Sequence, residues 1–261
     1  MVNHHDVDDA VSGWRSVAGG WERRRAAFWE ATREVAERMV TLLAPRASDT
    51  VLELAAGPGD TGFLAARRIE RLISSDVAPE MVEAARRRGT ELGLDNVDYR
   101  VLDAAAVELP DASVDGILCR FGLMLVPSSE GSAREIARVL RPGGRASVAV
   151  WASPEANDWL TAAGRSALEL GLLERPDPTA PGPFRLSGEG RLAEVLEAAG
   201  LPLAAVEDVP LTWRWESLDA WWETLADTSR TLGRLAAEIT PAEVAKVRAG
   251  AERRIAAYVD A

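Results

Sequence analysis

Apolar residues recur along the chain in two patterns that alternate. Residues 21–43 place Phe28, Val35, Met39 and Leu43 at helical spacing, which predicts a long amphipathic helix closed by Pro45. Short apolar runs then predict strands at residues 50–55, 71–76, 97–103, 114–121 and 145–151, with helices between them at 60–68, 79–92 and 130–140. Strands alternating with helices are typical of a doubly wound α/β fold, in which helices cover both faces of a mainly parallel sheet.

The second half of the chain departs from this regular alternation. Proline, glycine and polar residues surround a predicted helix at 159–172, which indicates a helical cap inserted at residues 152–186. A helix at 187–199, a strand at about 203–215 and two helices are expected next, the last beginning with the capping-box pattern Thr240-Pro-Ala-Glu243. The predicted organisation is an N-terminal helical lid at 1–45, a ligand-binding core at 46–151, the cap, and a C-terminal part with a helical extension at 187–261.

The far edge of the predicted sheet is open to two interpretations. No convincing strand follows Trp215, because the chain ends in the helix-like sequence AERRIAAYVDA. Either the run at 203–215 bends and supplies both last strands, or the sheet ends early. In the second case a homodimer could cover the exposed edge.

Composition and charge narrow the classes of function. The 261 residues carry a formal net charge of −11, which disfavours an electrostatic grip on nucleic acid or an anionic membrane. The single cysteine, Cys119, allows no intrachain disulfide, so we expect a reducing, cytoplasmic setting. The sequence has no signal-peptide pattern and no apolar run of the roughly 20 residues that span a membrane. Both histidines, His4 and His5, lie in a polar leader that we expect to be frayed, so we expect neither a metal site nor a catalytic histidine.

A glycine-rich loop follows the first predicted strand. The segment ELAAGPGDTG at residues 53–62 has the spacing G-x-G-x-x-G, which lets the backbone approach a ligand closely. Asp76 ends the next strand, where a carboxylate can accept hydrogen bonds from ribose hydroxyls, as in NAD-binding folds. Glu53 would oppose a pyrophosphate but favour an ammonium group, so a nucleotide with a cationic tail is the alternative. Asp103 and Arg120 also fall at predicted carboxyl ends of strands, which places them at the same edge of the sheet.

Four sequence blocks resemble the class I S-adenosylmethionine-dependent methyltransferases, in the branch that includes the ubiquinone and menaquinone biosynthesis enzymes. In chain order, from Val51 to Trp151, the blocks are VLELAAGPGDTG, SSDVAPEMVEAAR, LDAAAVELPDASVDGILCRFGLML and RVLRPGGRASVAVW. The resemblance implies a Rossmann-like fold and S-adenosylmethionine as cofactor, with S-adenosylhomocysteine as product. It also implies transfer of a methyl group to a small-molecule acceptor by in-line substitution, without a metal.

The resemblance implies roles for individual residues as well. Asp76 would accept the ribose hydroxyls, Asp103 the adenine amino group, and Glu53 would serve the amino end of the methionine part. The other residues implied at the cofactor are Ala55, Gly57, Gly59, Val77, Met81, Ala104 and Cys119. At Ala55 the family often has glycine. The residues implied at the acceptor are Trp21, Arg120, Trp151 and Asn157.

Several of these residues have a simpler structural interpretation. Arg120 either binds an acidic acceptor or anchors a carboxylate of the fold. Met81 either packs near adenine or fills the core, and Cys119 is interpreted as a small buried apolar residue without thiol chemistry. Trp213 and Trp215 are two residues apart and so share one face of a predicted strand. We interpret them as core residues in preference to residues that line the wall of a pocket.

Two other functions stay open at this stage. An NAD-dependent oxidoreductase would use the same glycine loop, although the sequence lacks a proton-transfer set such as Tyr-x-x-x-Lys. A non-catalytic nucleoside-binding protein would use the same site without turnover. A nucleic-acid methyltransferase is disfavoured by the charge and by the lack of an Asn/Asp-Pro-Pro-aromatic motif.

Overall fold

The computed structural model describes residues 4–258, with side chains from Ser12 onward. Helix α1 (His4–Leu43) precedes five strands: β1 (Thr50–Glu53), β2 (Arg71–Asp76), β3 (Val97–Val101), β4 (Val114–Arg120) and β5 (Leu140–Ala149). Helices α2 (Asp60–Ala66), α3 (Pro79–Glu91) and α4 (Ser129–Val139) connect them. All pairings are parallel, in the order β3-β2-β1-β4-β5, which confirms the doubly wound α/β fold.

Two apolar layers cover the faces of the sheet. Adjacent residues of one strand serve opposite layers, because successive side chains of a strand point to opposite faces. Val51 packs with α1 and with Phe63 of α2, whereas Leu52 packs with Ile136 of α4 and Val195 of a later helix. The central strands β1, β2 and β4 are therefore buried on both sides, which leaves their ends for ligands.

The C-terminal part of the structure is helical. It consists of α5 (Asp158–Glu169), α6 (Arg191–Ala198), α7 (Leu218–Thr228), α8 (Arg230–Glu238) and α9 (Pro241–Ile255), with short 3₁₀ turns at Pro154–Ala156 and Ala256–Tyr258. Trp221 of α7 is fully buried with Ala162 of α5 and Ala251 of α9. The capping box at the start of α9 is formed, since Thr240 and Glu243 exchange hydrogen bonds. Three helices thus follow residue 215, not the two expected.

The strand predicted at 203–215 is wrong. Side chains alternate between half-buried and exposed from Val209 to Trp215, but the backbone forms no strand in this segment. Pro210 has no amide proton to donate to a ladder, and Glu207 is held by Arg38 of α1 at 2.5 Å. The sheet therefore ends at β5, which is the second of the two expectations.

The N-terminal helix starts much earlier than the predicted Trp21. Val17 and Ala18 are buried and Trp14 is half-buried, so the apolar face of α1 continues well upstream of residue 21. The backbone is already helical at His4, against the frayed leader we expected, whereas the side chains of His4 and His5 lie outside the described residues. Among the described residues, no helix combines the length and the apolar character needed to cross a membrane.

Candidate active site

The candidate site lies where the strand order reverses. β1 and β4 are neighbours at the centre of the sheet, and the loops that follow them leave in different directions, which opens a crevice at their carboxyl ends. Within the loop after β1, Ala55, Gly57 and Gly59 all have left-handed φ values, of 51°, 53° and 86°. A Cβ atom on Gly57 would meet no atom within 4 Å, so the backbone there borders open space.

The three glycines of the loop have different reasons to be glycine. A side chain on Gly59 would strike the ring of Phe63, and one on Gly62 would collide with the carboxyl group of Glu53. Packing therefore excludes larger residues at these two positions, and Gly59 is left-handed as well. At Gly57 no neighbouring atom excludes a side chain, so the left-handed conformation is the reason for glycine.

Ala55 occupies a left-handed position without being glycine. Such a conformation costs a non-glycine residue about 1 to 2 kcal/mol. This strain explains why glycine suits the position at which the sequence departs from the family pattern. The methyl group also takes up space beside the chain after β4, because a Cβ on Gly122 would collide with it.

Glu53 is buried beneath the start of α2. Its carboxyl accepts a hydrogen bond from the Gly62 amide at 2.8 Å, and the Ser74 hydroxyl lies 3.5 Å away. Burial raises the pKa of Glu53 to about 8, although the Gly62 amide and the charge of Arg120 lower it. The carboxyl is therefore largely protonated at neutral pH.

Asp76 joins the loops that follow β1 and β2. One carboxylate oxygen accepts from the Gly57 amide at 2.9 Å and the other from the Ala78 amide at 3.0 Å. Burial raises the pKa of Asp76, whereas these amides lower it. Each oxygen keeps a second lone pair for a ligand. The sequence analysis missed this bracing of the glycine loop, although an Asp side chain that accepts from the amide two residues on is a recognisable turn signal.

The first half of α1 lies over the start of α3. Trp14, Ala18 and Trp21 pack against Ala78 and Met81, and Met81 is only 4% exposed. Val77, between Asp76 and this contact, is half-buried. Met81, predicted to pack near the adenine, therefore lies under α1.

Asp103 and Ala104 form the turn after β3. The Asp103 carboxylate accepts from the Ala105 amide at 2.8 Å, and Ala104 is buried. Cys119 is buried in β4, and burial raises the pKa of its thiol to about 12. It therefore stays a thiol at neutral pH, in agreement with its interpretation as an apolar residue.

Arg120 reaches from the end of β4 to α1 and α2. Its guanidinium donates to the hydroxyl of Thr61 at 2.7 Å and to that of Thr32 at 2.6 Å, and it lies 5.6 Å from the centre of the Phe121 ring. No carboxylate of the described residues lies within 4.0 Å of its nitrogens. The hypothesis that Arg120 anchors a carboxylate of the fold therefore finds no contact to support it.

An aromatic cluster continues from the end of β4 toward α5. We use this name for Trp21, Phe28, Phe121, Trp151, Trp159, Trp213 and Trp215. Phe121 is left-handed, with φ 58°, and its ring stacks on Trp151 at 4.1 Å with an interplanar angle of 5°. Trp213 and Trp215 are thus packed, as expected, but against a cluster that begins beside the candidate site.

Asn157 is the predicted acceptor residue that does not join this cluster. Its side-chain amide donates to the carbonyls of Ala152 and Ser153, at 3.3 and 3.0 Å, and braces the turn before α5. Trp21, Arg120 and Trp151 do come together. Within residues 12–258, no group of three acidic, histidine or cysteine side chains is arranged to hold a metal ion.

The part of the chain that contains the candidate site resembles a known protein family. Residues 51–144 match the model of a methyltransferase domain. The chain is 37% identical over 41% of its length to the ubiquinone/menaquinone biosynthesis C-methyltransferase UbiE of Rubrivivax gelatinosus, and 34% identical over 39% of its length to an uncharacterised protein of Mycobacterium tuberculosis. The matches span 41% and 36% of those relatives, so the chain covers about two fifths of their lengths.

Solved structures share the fold over more of the chain. A Haloferax volcanii protein solved in complex with a methyltransferase activator superposes with a TM-score of 0.56 at 23% identity, over 87% of this chain and 93% of its own. The cyclase SpnF superposes with a TM-score of 0.57 at 21% identity, over 86% of this chain and 75% of its own. At these identities the likeness shows the fold alone.

Proposed function

We propose that this chain, which carries a class I S-adenosylmethionine-dependent methyltransferase domain at residues 51–144, transfers a methyl group from S-adenosylmethionine to a small-molecule acceptor. The observation that carries the proposal is the Asp76 carboxylate, held between the amides of Gly57 and Ala78 at the edge of the crevice. Its free lone pairs suit the two adjacent hydroxyls of a ribose. The strongly acidic surface favours a small molecule over nucleic acid as acceptor.

The residues around Asp76 fit the remainder of such a cofactor. The absence of a side chain at Gly57 lets the backbone lie against the methionine part, and Met81 and Ala104 supply apolar surface for the adenine. In this proposal Asp103 accepts from the adenine amino group with the oxygen that the Ala105 amide leaves free. When bound, the cofactor supplies a methyl group whose bond to sulfur breaks, leaving the electron pair on sulfur, as a lone pair of the acceptor bonds to the carbon.

The chain then has to position the acceptor rather than to activate it strongly. An in-line substitution gains much of its rate from orientation of the reacting atoms. The described side chains include no histidine, so a proton lost by the acceptor would pass to water or to an acidic or tyrosine side chain. The aromatic cluster and Arg120, which flank the ends of β4 and β5, are the surfaces proposed to hold the acceptor.

Calorimetric titration with S-adenosylmethionine, S-adenosylhomocysteine and NAD tests the proposal. We expect the first two to bind and NAD not to bind. Asp76→Asn should weaken the binding of S-adenosylhomocysteine about tenfold or more, since hydrogen bonds to a charged group contribute about 1.5 to 3 kcal/mol each. Asp95→Asn, at an exposed position, is the matched control. Binding of NAD alone would overturn the proposal. Cofactor binding without product from a broad acceptor panel would instead indicate a nucleoside-binding protein.

A further inference from the structure

Arg120 has no direct counter-ion among the described residues, although the charges of Glu53 and Asp60 raise the pKa that burial lowers. Its two hydrogen-bond partners, Thr32 and Thr61, are neutral hydroxyls. A partly buried guanidinium without a directly paired carboxylate is costly. The described residues offer no acceptor for its remaining nitrogen, Nη2.

The nearby acidic groups are already engaged elsewhere. Asp60, at the start of α2, is paired with Arg25 of α1 at 2.8 Å. Glu53 accepts from the Gly62 amide and lies behind the glycine loop. Both acidic groups act on the charge of Arg120 from a distance, but neither contacts it directly, so its Nη2 is left for an anion that enters from the crevice.

Buried donors without partners also line the adjoining aromatic cluster. The indole N–H groups of Trp21, Trp213 and Trp215 are buried and find no acceptor in the part of the chain that the structure describes. A buried donor without an acceptor is destabilising, and an oxygen-bearing guest would relieve this cost. The ring of Phe121, which is partly exposed and stacks on the buried Trp151, is the aromatic side chain beside Arg120.

The two features are parts of one surface. Arg120 touches the Phe121 ring on one side and Thr32 on the other, and the Thr32 hydroxyl donates to the carbonyl of Phe28, a member of the cluster. Charge and aromatic side chains are thus adjacent at the end of β4. A ligand that carries an anionic group on a planar ring matches both.

We propose that Arg120, held in place by the buried hydroxyls of Thr32 and Thr61, forms a carboxylate-binding subsite beside the aromatic cluster, and that the methyl acceptor is an aromatic acid. This inference rests on the proposed methyl transfer. A guanidinium fixed in one orientation can donate from its remaining Nη2 to one carboxylate, and an aromatic ring packs on tryptophan and phenylalanine side chains. The alternative source of the carboxylate is the methionine part of the cofactor.

The experiment separates the two sources by titrating them in turn. First, S-adenosylhomocysteine and methylthioadenosine, which lacks the amino-acid part, are titrated into the wild type and Arg120→Met. Then protein saturated with S-adenosylhomocysteine is titrated with para-hydroxybenzoate, para-hydroxycinnamate and naphthoate, and with the corresponding amides. Quenching of tryptophan fluorescence reports binding without requiring turnover. Failure of S-adenosylhomocysteine to bind the wild type would defeat the proposed function itself, before the acids are tested.

The proposal predicts a specific pattern of losses. At least one acid binds and its amide does not. Arg120→Met weakens the binding of that acid about tenfold or more and leaves the affinity for S-adenosylhomocysteine unchanged. Arg120→Lys, which keeps the charge but not the planar guanidinium, weakens the binding of the acid less. Trp213→Phe, which removes only the indole donor and part of the ring, also weakens the acid. Arg33→Met, at an exposed ion pair of α1, is the control.

Three results would overturn the proposal. One is that none of the acids binds at millimolar concentration. Another is that acids and amides bind alike. The third is that Arg120→Met weakens S-adenosylhomocysteine but not methylthioadenosine, which would assign the carboxylate to the cofactor. Retained binding of methylthioadenosine shows that the Arg120 variants are folded.

Discussion

Replacing Glu53 by glutamine should change how the stability of the protein depends on pH. The fold favours the protonated carboxyl, because burial raises its pKa from 4.5 to about 8. Between these values the unfolded chain releases the proton while the folded chain keeps it, so stability falls as pH rises. The contribution is fully present below the unfolded pKa and is lost by the time the folded pKa is passed. The difference between the two pKa values corresponds to about 5 kcal/mol in the free energy of unfolding.

Glutamine cannot ionise, yet it keeps an acceptor for the Gly62 amide that Glu53 now binds at 2.8 Å. Urea denaturation can be followed by circular dichroism from about pH 5 to about pH 8. As pH rises, the free energy of unfolding of Glu53→Gln should increase by several kcal/mol relative to that of the wild type. Glu37→Gln, at an exposed glutamate of α1, controls for the loss of a surface carboxylate. A difference that stays constant with pH, or one that moves in favour of the wild type, would refute the reasoning.

Three further substitutions test how the site and its scaffold are built. Ala55→Gly should raise the free energy of unfolding by about 1 kcal/mol by relieving the left-handed strain, and Ala112→Gly, at φ 50° on the surface, is its comparison in a thermal melt. Gly122→Ala should destabilise the fold because its methyl group would collide with Ala55, and adding Ala55→Gly should recover much of the loss; strictly additive effects would contradict the contact. Thr240→Ala should cost about 1 kcal/mol by removing the capping box of α9, and an unchanged melting temperature would count against that role.

The core of the fold could be predicted because its signals are local. Each strand from β1 to β5 is a short apolar run, and each connecting helix has its own spacing and end signals, as Pro79 shows at the start of α3. The boundary of β5 differs from the predicted start at residue 145. Strand β5 begins at Leu140, because Leu140 already pairs with Val114; residues 141–144, with Gly143 at φ 81°, then bulge out of the ladder before pairing resumes at Arg145.

The errors arose where the outcome depends on distant partners. The alternation of apolar residues from 209 to 215 is a strand signal. In the structure it places the Trp213 side chain in the aromatic cluster, and the backbone of this segment does not join the sheet. The early start of α1 likewise depends on the surface of α3 that Trp14 covers. The hydroxyl partners of Arg120 could not be foreseen, because Thr32 lies on α1 and Thr61 lies at the start of α2, and only the tertiary fold brings them together.

The charges around the glycine loop divide the site into two halves with opposite preferences. Asp76 is a buried acid that two backbone amides support, so its half of the crevice suits hydroxyl donors. In the other half, burial raises the pKa of Glu53, whereas the positive charge of Arg120 lowers it. If Glu53 were ionised, its charge would attract the guanidinium and compete with an incoming anion. Burial of Glu53 favours its neutral form and so leaves the end of β4 receptive to a carboxylate. A carboxylate bound at Arg120 would in turn offset the positive charge that lowers the pKa of Glu53, so the two groups are linked.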